Sequence, residues 1–289
     1  MADVAGNIVH SQCLFLSHRH GRTPSRAGRL VTTQLLFLHG WAMTGDVFAD
    51  LAARLGPGFE CHAPDLPGHG SNQTSRLGLD ACCDLVDTLV HDLDRPVLVG
   101  WSMGAGAAWR YVRTRGTSAL AGLITIDMSP RIMPDDGWDK GMKAPGAGAI
   151  LAATARIRSD WPRVAGCVSR NMFAARSAPV LSAEEVRLRL LAQSPEHLSR
   201  AWEDLVTLDE RQTIPLIDIP YLVCSGRQSR LYSDATAQWI CSQARDARLH
   251  QFEGSGHSPH LEEPDLFCQV LRNFLRDRRG HALQEGRRT

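Results

Sequence analysis

The chain has 289 residues, of which 43% are hydrophobic and 22% charged, the ordinary balance of a globular protein. Lys and Arg (32) nearly cancel Asp and Glu (31), so charge gives no reason to expect nucleic acid or an anionic membrane as partner. No run approaches the ~18 apolar residues of a membrane span, and Met1–His10 lack the basic-then-apolar pattern of a secretory signal. The eight cysteines are scattered, with no CxxC and no Cys/His cluster. The expectation is a reduced, cytoplasmic chain with no structural disulfide, no metal and no cofactor.

In chain order, His18–Arg29 read as a polar surface loop. Leu35–Leu38 is a buried strand by composition, Val47–Leu55 has helical spacing, and Phe59–Ala63 reads as a second strand. Leu79–Leu93 repeats apolar residues at helical spacing. Pro96–Gly100 is again a strand, Ser102 to about Arg113 a helix, and Leu120–Ile126 a strand. The rhythm then breaks: residues 132–205 hold helix-like segments, a turn at Pro145–Gly148 and the amphipathic run Ser182–Ala192, but no strand. It resumes with strand Tyr221–Cys224, helix Ser233–Ala244, strand Arg248–Phe252 and helix Pro264–Leu275. This alternation implies a mostly parallel sheet flanked by helices. The implied division is a core of residues 1–131 and 206–278, a helical cap of 132–205 over the strand ends, and a frayed tail of 279–289.

Gly100-Trp101-Ser102-Met103-Gly104 is a G-x-S-x-G sequence between an apolar strand and an Ala-rich helix. In that setting a sharp turn strains the serine backbone and lifts its hydroxyl out of the sheet, which makes Ser102 the candidate nucleophile. The alternative is a Gly-rich turn with Ser102 as a helix N-cap. His39-Gly40-Trp41 follows the first buried strand, so the N–H groups of Trp41 and Met103 are candidate oxyanion donors, with His39 structural.

A serine hydroxyl needs a general base. Of the twelve histidines, His257 follows the last predicted strand and precedes the last helix, which sets its loop at the sheet edge of Ser102. His260 is the runner-up.

Together these segments, with Asp65-Leu66-Pro67-Gly68-His69-Gly70-Ser71 and with Gly256-His257 followed by Glu262, resemble the α/β-hydrolase superfamily from about Leu35 to Leu275. His39-Gly40-Trp41 and Gly100–Gly104 look like the small-ester carboxylesterases, including the pimeloyl-carrier-protein methyl ester esterases. The resemblance implies an α/β-hydrolase fold with a helical cap after the sixth strand, and an esterase or thioesterase acting on a small-molecule acyl substrate. It also implies a triad acid after the strand Tyr221–Cys224, in a pattern like G-x-x-D. Here that position holds Ser229, in Gly226-Arg227-Gln228-Ser229. A neutral serine cannot stabilise an imidazolium as a carboxylate does. Two replacements are open: Asp127, directly after Leu120–Ile126, and Asp234, at a helix start. Asp127 is preferred, because it lies at a carboxyl strand end one strand from the nucleophile.

Trp138, Met142, Trp161, Met172 and Phe173 could line an acyl pocket or pack cap on sheet. Arg131 and Arg227 could meet an anion or be paired on the surface. A carbon–carbon bond hydrolase, a cofactor-free perhydrolase and a non-catalytic ligand-binding protein share the fold and stay as alternatives.

Overall fold

A computed structural model of the chain describes residues 32–143 and 147–285. The elements run β1 Thr33–Leu38, α1 Ala49–Leu55, β2 Phe59–His62, α2 Leu79–Asp92, β3 Val97–Trp101, α3 Met103–Arg115 and β4 Gly122–Ile126. Four inserted helices follow: α4 Ala147–Ser159, α5 Trp161–Asn171, α6 Ala183–Leu191 and α7 Pro195–Val206. The remainder is β5 Tyr221–Gly226, α8 Asp234–Gln243, β6 Ala247–Phe252, α9 Pro259–Glu262 and α10 Pro264–Glu285.

The six strands form one sheet in the order β2-β1-β3-β4-β5-β6, and every pairing is parallel. The central strands β3 and β4 are buried at every residue, whereas the edge strand β2 is only half-buried. This explains the continuous apolar runs that mark the central strands in the sequence: helices cover both faces of a parallel sheet, so no polar side is needed. Successive side chains show the two layers. Phe37 stacks on Phe48 at the start of α1, with ring centroids 4.8 Å apart, and α1 packs on α10. The next residue, Leu38, points the other way, onto α3 at Gly104.

The insertion leaves after β4 and returns before β5, and its two ends meet. Arg131 and Asp209 form an antiparallel bridge, and the Glu210 N–H donates to the Pro130 carbonyl at 2.8 Å. Helix α6 starts on a capping box in which Ser182 and Glu185 bond each other's backbone. Asp160 caps α5 and Ser194 caps α7.

The strand before the insertion is the fourth of the described strands; residues 1–31 lie outside the described ones, as does the loop expected at residues 18–29. The turn expected at Pro145–Gly148 lies partly outside them too, and Ala147 and Gly148 open α4. The last helix runs to Glu285, through most of the expected tail, where Arg, Ala, Leu, Gln and Glu are residues of good helix propensity. No helix among the described residues is long and apolar enough to cross a membrane.

Candidate active site

The carboxyl ends of β1, β3, β4, β5 and β6 converge on one region, where Trp41, Ser102, Met103, Asp127 and His257 sit. Ser102 occupies the turn between β3 and α3, with φ 53° and ψ −117°. That positive φ is strained for a residue with a Cβ. Two glycines make the turn possible. A Cβ on Gly100 would stand 2.4 Å from the Gly104 carbonyl oxygen, and one on Gly104 would stand 2.0 Å from that of Leu38. Any side chain there would force α3 off the sheet. Ser102 also extends the sheet, its N–H donating to the Ile126 carbonyl at 3.0 Å.

Asp127 mirrors this one strand over. It follows β4, has φ 43°, and donates its N–H to the Cys224 carbonyl at 2.8 Å. Its carboxylate is buried and accepts three hydrogen bonds: from His257 Nδ1 at 2.7 Å, from Ser229 Oγ at 2.7 Å and from the Gly226 N–H at 3.4 Å. The His257 Nδ1 proton is therefore directed to Asp127, which leaves Nε2 as the acceptor nitrogen. Ser229 is not spare. It stands where the acid of the resembled family is expected and donates to the Asp127 carboxylate, while its hydroxyl also takes the N–H groups of Leu231 and Tyr232 at 3.2 and 3.3 Å. Asp234 lies elsewhere, paired with Arg227 at 2.8 Å on the surface.

Sequence reasoning missed the supports of His257. Its carbonyl accepts the Trp101 indole N–H at 2.9 Å, and its N–H donates to the Met172 carbonyl at 2.9 Å. A tryptophan beside the nucleophile was the signal for the first. Nothing local marks the second, which comes from the insertion.

The N–H groups of Trp41 and Met103 have no protein acceptor among the described residues. Gly40 brings that loop close: its Cβ would lie 3.0 Å from the Trp101 ring. The Trp41 side chain reaches into the insertion, where its indole donates to the Leu198 carbonyl at 2.9 Å and packs on Trp161 and Trp202. His39 is buried, with Nδ1 on the Gly40 carbonyl at 2.8 Å and Nε2 accepting the Leu66 N–H at 2.9 Å. Burial pushes it down to about 4, so it is a neutral strut between two loops. His260 lies among Trp101, Phe48 and Phe267, and burial pushes it down to about 3. Neither of its ring nitrogens has a partner among the described residues, so it packs as an aromatic.

Ser102 and His257 line a cavity of about 520 Å³ between the strand ends and the inserted helices. Its walls are mainly apolar, with Met128, Ile150, Ile157, Val164, Trp202 and Leu205 prominent. Of the aromatic and methionine candidates, Met142 and Met172 line it. Trp161 instead packs on Trp41, Trp138 packs on Trp239, and Phe173 is buried in the core. Arg131 pairs with Asp135 and Asp209, and Arg227 with Asp234 and Glu253, so both are surface ion pairs.

Parallel sheet, strained serine turn and buried His–Asp pair together define a hydrolase of the α/β type. Residues 35–270 match the alpha/beta hydrolase family, and the chain belongs to it. Among its relatives is the pimeloyl-[acyl-carrier protein] methyl ester esterase of Xanthomonas axonopodis pv. citri, 28% identical over 242 residues that cover 83% of this chain and 94% of that one. Among solved structures, an esterase from Exiguobacterium antarcticum shares the fold with a TM-score of 0.78 and 22% identity, over 84% of this chain and 92% of that one. The bromoperoxidase from Bacillus anthracis does so with a TM-score of 0.76 and 19% identity, over 85% and 92%.

Proposed function

We infer that this chain is an ester-hydrolysing enzyme that cleaves a carboxylic ester or thioester through Ser102, His257 and Asp127. The observation that carries the reading is the buried 2.7 Å bond from His257 Nδ1 to Asp127, behind a cavity that Ser102 and His257 both line. His257 Nε2 takes the Ser102 proton as Oγ attacks the acyl carbonyl. The Asp127 carboxylate orients the ring and faces the imidazolium that forms. The N–H groups of Trp41 and Met103 receive the oxyanion. His257 then protonates the departing alcohol or thiol, and water, activated by the same base, releases the acid from the acyl-enzyme. Helices α4–α7 act as the cap, and their apolar wall takes the acyl chain.

Ser102→Ala tests the reading. Turnover of p-nitrophenyl acetate and labelling by a fluorophosphonate should both vanish, and a variant that retains either overturns the assignment. Parental protein that hydrolyses no ester but binds one would favour the ligand-binding alternative.

A finer reading concerns the far end of the substrate. Arg156, Arg163 and Arg170 line the cavity, are exposed, and have no acidic partner among the described residues. The relatives are named for a pimeloyl-[acyl-carrier protein] methyl ester, whose acyl chain is of the kind that a mainly apolar cavity would take. The three guanidinium groups favour an ester that carries negative charge at its solvent end. The same assay run with neutral and carboxylate-ended acyl chains checks this: Arg163→Ala should raise KM about three- to fivefold for the charged ester only.

A further inference from the structure

Glu262 ends α9 with its carboxylate buried, and no Lys, Arg or His pairs with it among the described residues. Three backbone N–H groups hold it instead. Oε1 accepts from Gly256 at 2.9 Å and from Ser258 at 3.1 Å, the residues on either side of His257. Oε2 accepts from Ala174 at 2.7 Å, in the segment that leaves α5 of the insertion. The same segment carries the Met172 carbonyl that takes the His257 N–H, and Met172 lines the cavity. A second tie runs alongside, from the Val180 N–H to the Leu261 carbonyl at 2.9 Å. The seam is tight. A Cβ on Gly256 would lie 2.7 Å from the Ala174 nitrogen and 2.8 Å from the Phe173 carbonyl carbon.

Burying a carboxylate without a cation is costly, and only well-placed donors offset the cost. Charge-assisted bonds to backbone N–H groups are also the short, directional ones. One carboxylate divided between two segments therefore fixes their separation more sharply than apolar packing would. We propose that Glu262 is a positioning residue for the reaction: it clamps the loop of the catalytic base to the inserted helices. His257 and the cavity wall at Met172 then keep a single geometry, and acyl-pocket shape is tied to base alignment. The proposal rests on the esterase reading, since it concerns the base of that mechanism.

Glu262→Gln preserves shape but sets an NH2 group against a backbone N–H on one side of the seam. Its kcat on p-nitrophenyl acetate should fall about tenfold or more while KM moves less than about twofold, because the substrate is bound but the base is misaligned. Ala174→Pro deletes the insertion's donor and leaves those of Gly256 and Ser258. It should lower kcat comparably, and the double variant should be no worse than the poorer single one, as expected for one shared interaction. A cooperatively unfolding Glu262→Gln protein with parental kcat overturns the proposal. So does a parental kcat in Ala174→Pro, which would confine Glu262 to its own loop; if Glu262→Gln does not fold, Ala174→Pro decides alone. Parental protein without ester turnover overturns the esterase reading instead. In that event amide exchange at His257 and Ala174 tests the clamp: about tenfold faster exchange in Glu262→Gln supports it, and unchanged exchange overturns it.

Discussion

At the scale of single residues, the Asp127 carboxylate is bonded to Ser229, which stands where the family resemblance expects an acid. Their side-chain oxygens are 2.7 Å apart, and both belong to one buried cluster around His257 Nδ1. The carboxylate can sit on either strand end, provided that one oxygen reaches the imidazole and the partner donates to the other lone pairs. This makes a swap informative. Asp127→Asn should reduce kcat by about ten-thousandfold, the cost of losing the acid in such a triad. Combining it with Ser229→Asp should restore at least about tenfold of that loss, because a carboxylate returns to the same cluster. Asp234→Asn, at the surface ion pair with Arg227, should leave kcat unchanged. Steady-state rates on one short ester check all three.

At the scale of elements, the insertion is anchored to the sheet at its ends and again inside the site. Glu210, just past its return, is fully buried; it meets Arg110 of α3 at 2.6 Å, Arg113 at 3.3 Å and Thr213 Oγ1 at 2.6 Å. Truncating one member of such a group strands the other charge in a poorly solvated place. Glu210→Ala should therefore destabilise the fold by about 3 kcal/mol in urea unfolding. A loss under about 1 kcal/mol would mean that Arg110 is satisfied by Asp80 alone, to which it also bonds at 2.6 Å. The Trp41 indole ties the loop after β1 to α7, and the Met172 carbonyl ties the His257 loop to the end of α5. Core and insertion thus share the work of holding the site.

At the scale of the whole molecule, three buried histidines make stability depend on pH. Burial lowers His39 to about 4, and His69 and His260 to about 3, from an ordinary value of 6.5. The folded chain keeps these rings neutral where the unfolded chain takes up protons. Their contribution is whole above pH 6.5 and is lost as pH falls from there through the folded values, at up to about 1.4 kcal/mol per pH unit for each ring. His260→Phe keeps an aromatic ring among Trp101, Phe48 and Phe267 and removes one such group. Between about pH 6.5 and 4.5 it should lose about 2 to 3 kcal/mol less stability than the parent in urea titrations. Parallel pH profiles would show that His260 does not titrate on unfolding.

The chain by itself determined the order of the core elements, the serine turn and the histidine loop. Each of these rests on neighbours in sequence: apolar runs for strands buried on both faces, paired glycines where a Cβ would strike the next strand or helix, and a loop that must follow the last strand. The positions of Ser102, His257 and Trp41 at the strand ends were legible for that reason, and so was that of Asp127 directly after β4. Tertiary structure alone decided what joins them. Which of Met142, Trp161 and Met172 faces the cavity, and how Glu262 gathers N–H groups from the His257 loop and from Ala174, both depend on how α4–α7 lie over the strand ends. That placement is set by packing between residues far apart in sequence, and no local period or motif encodes it.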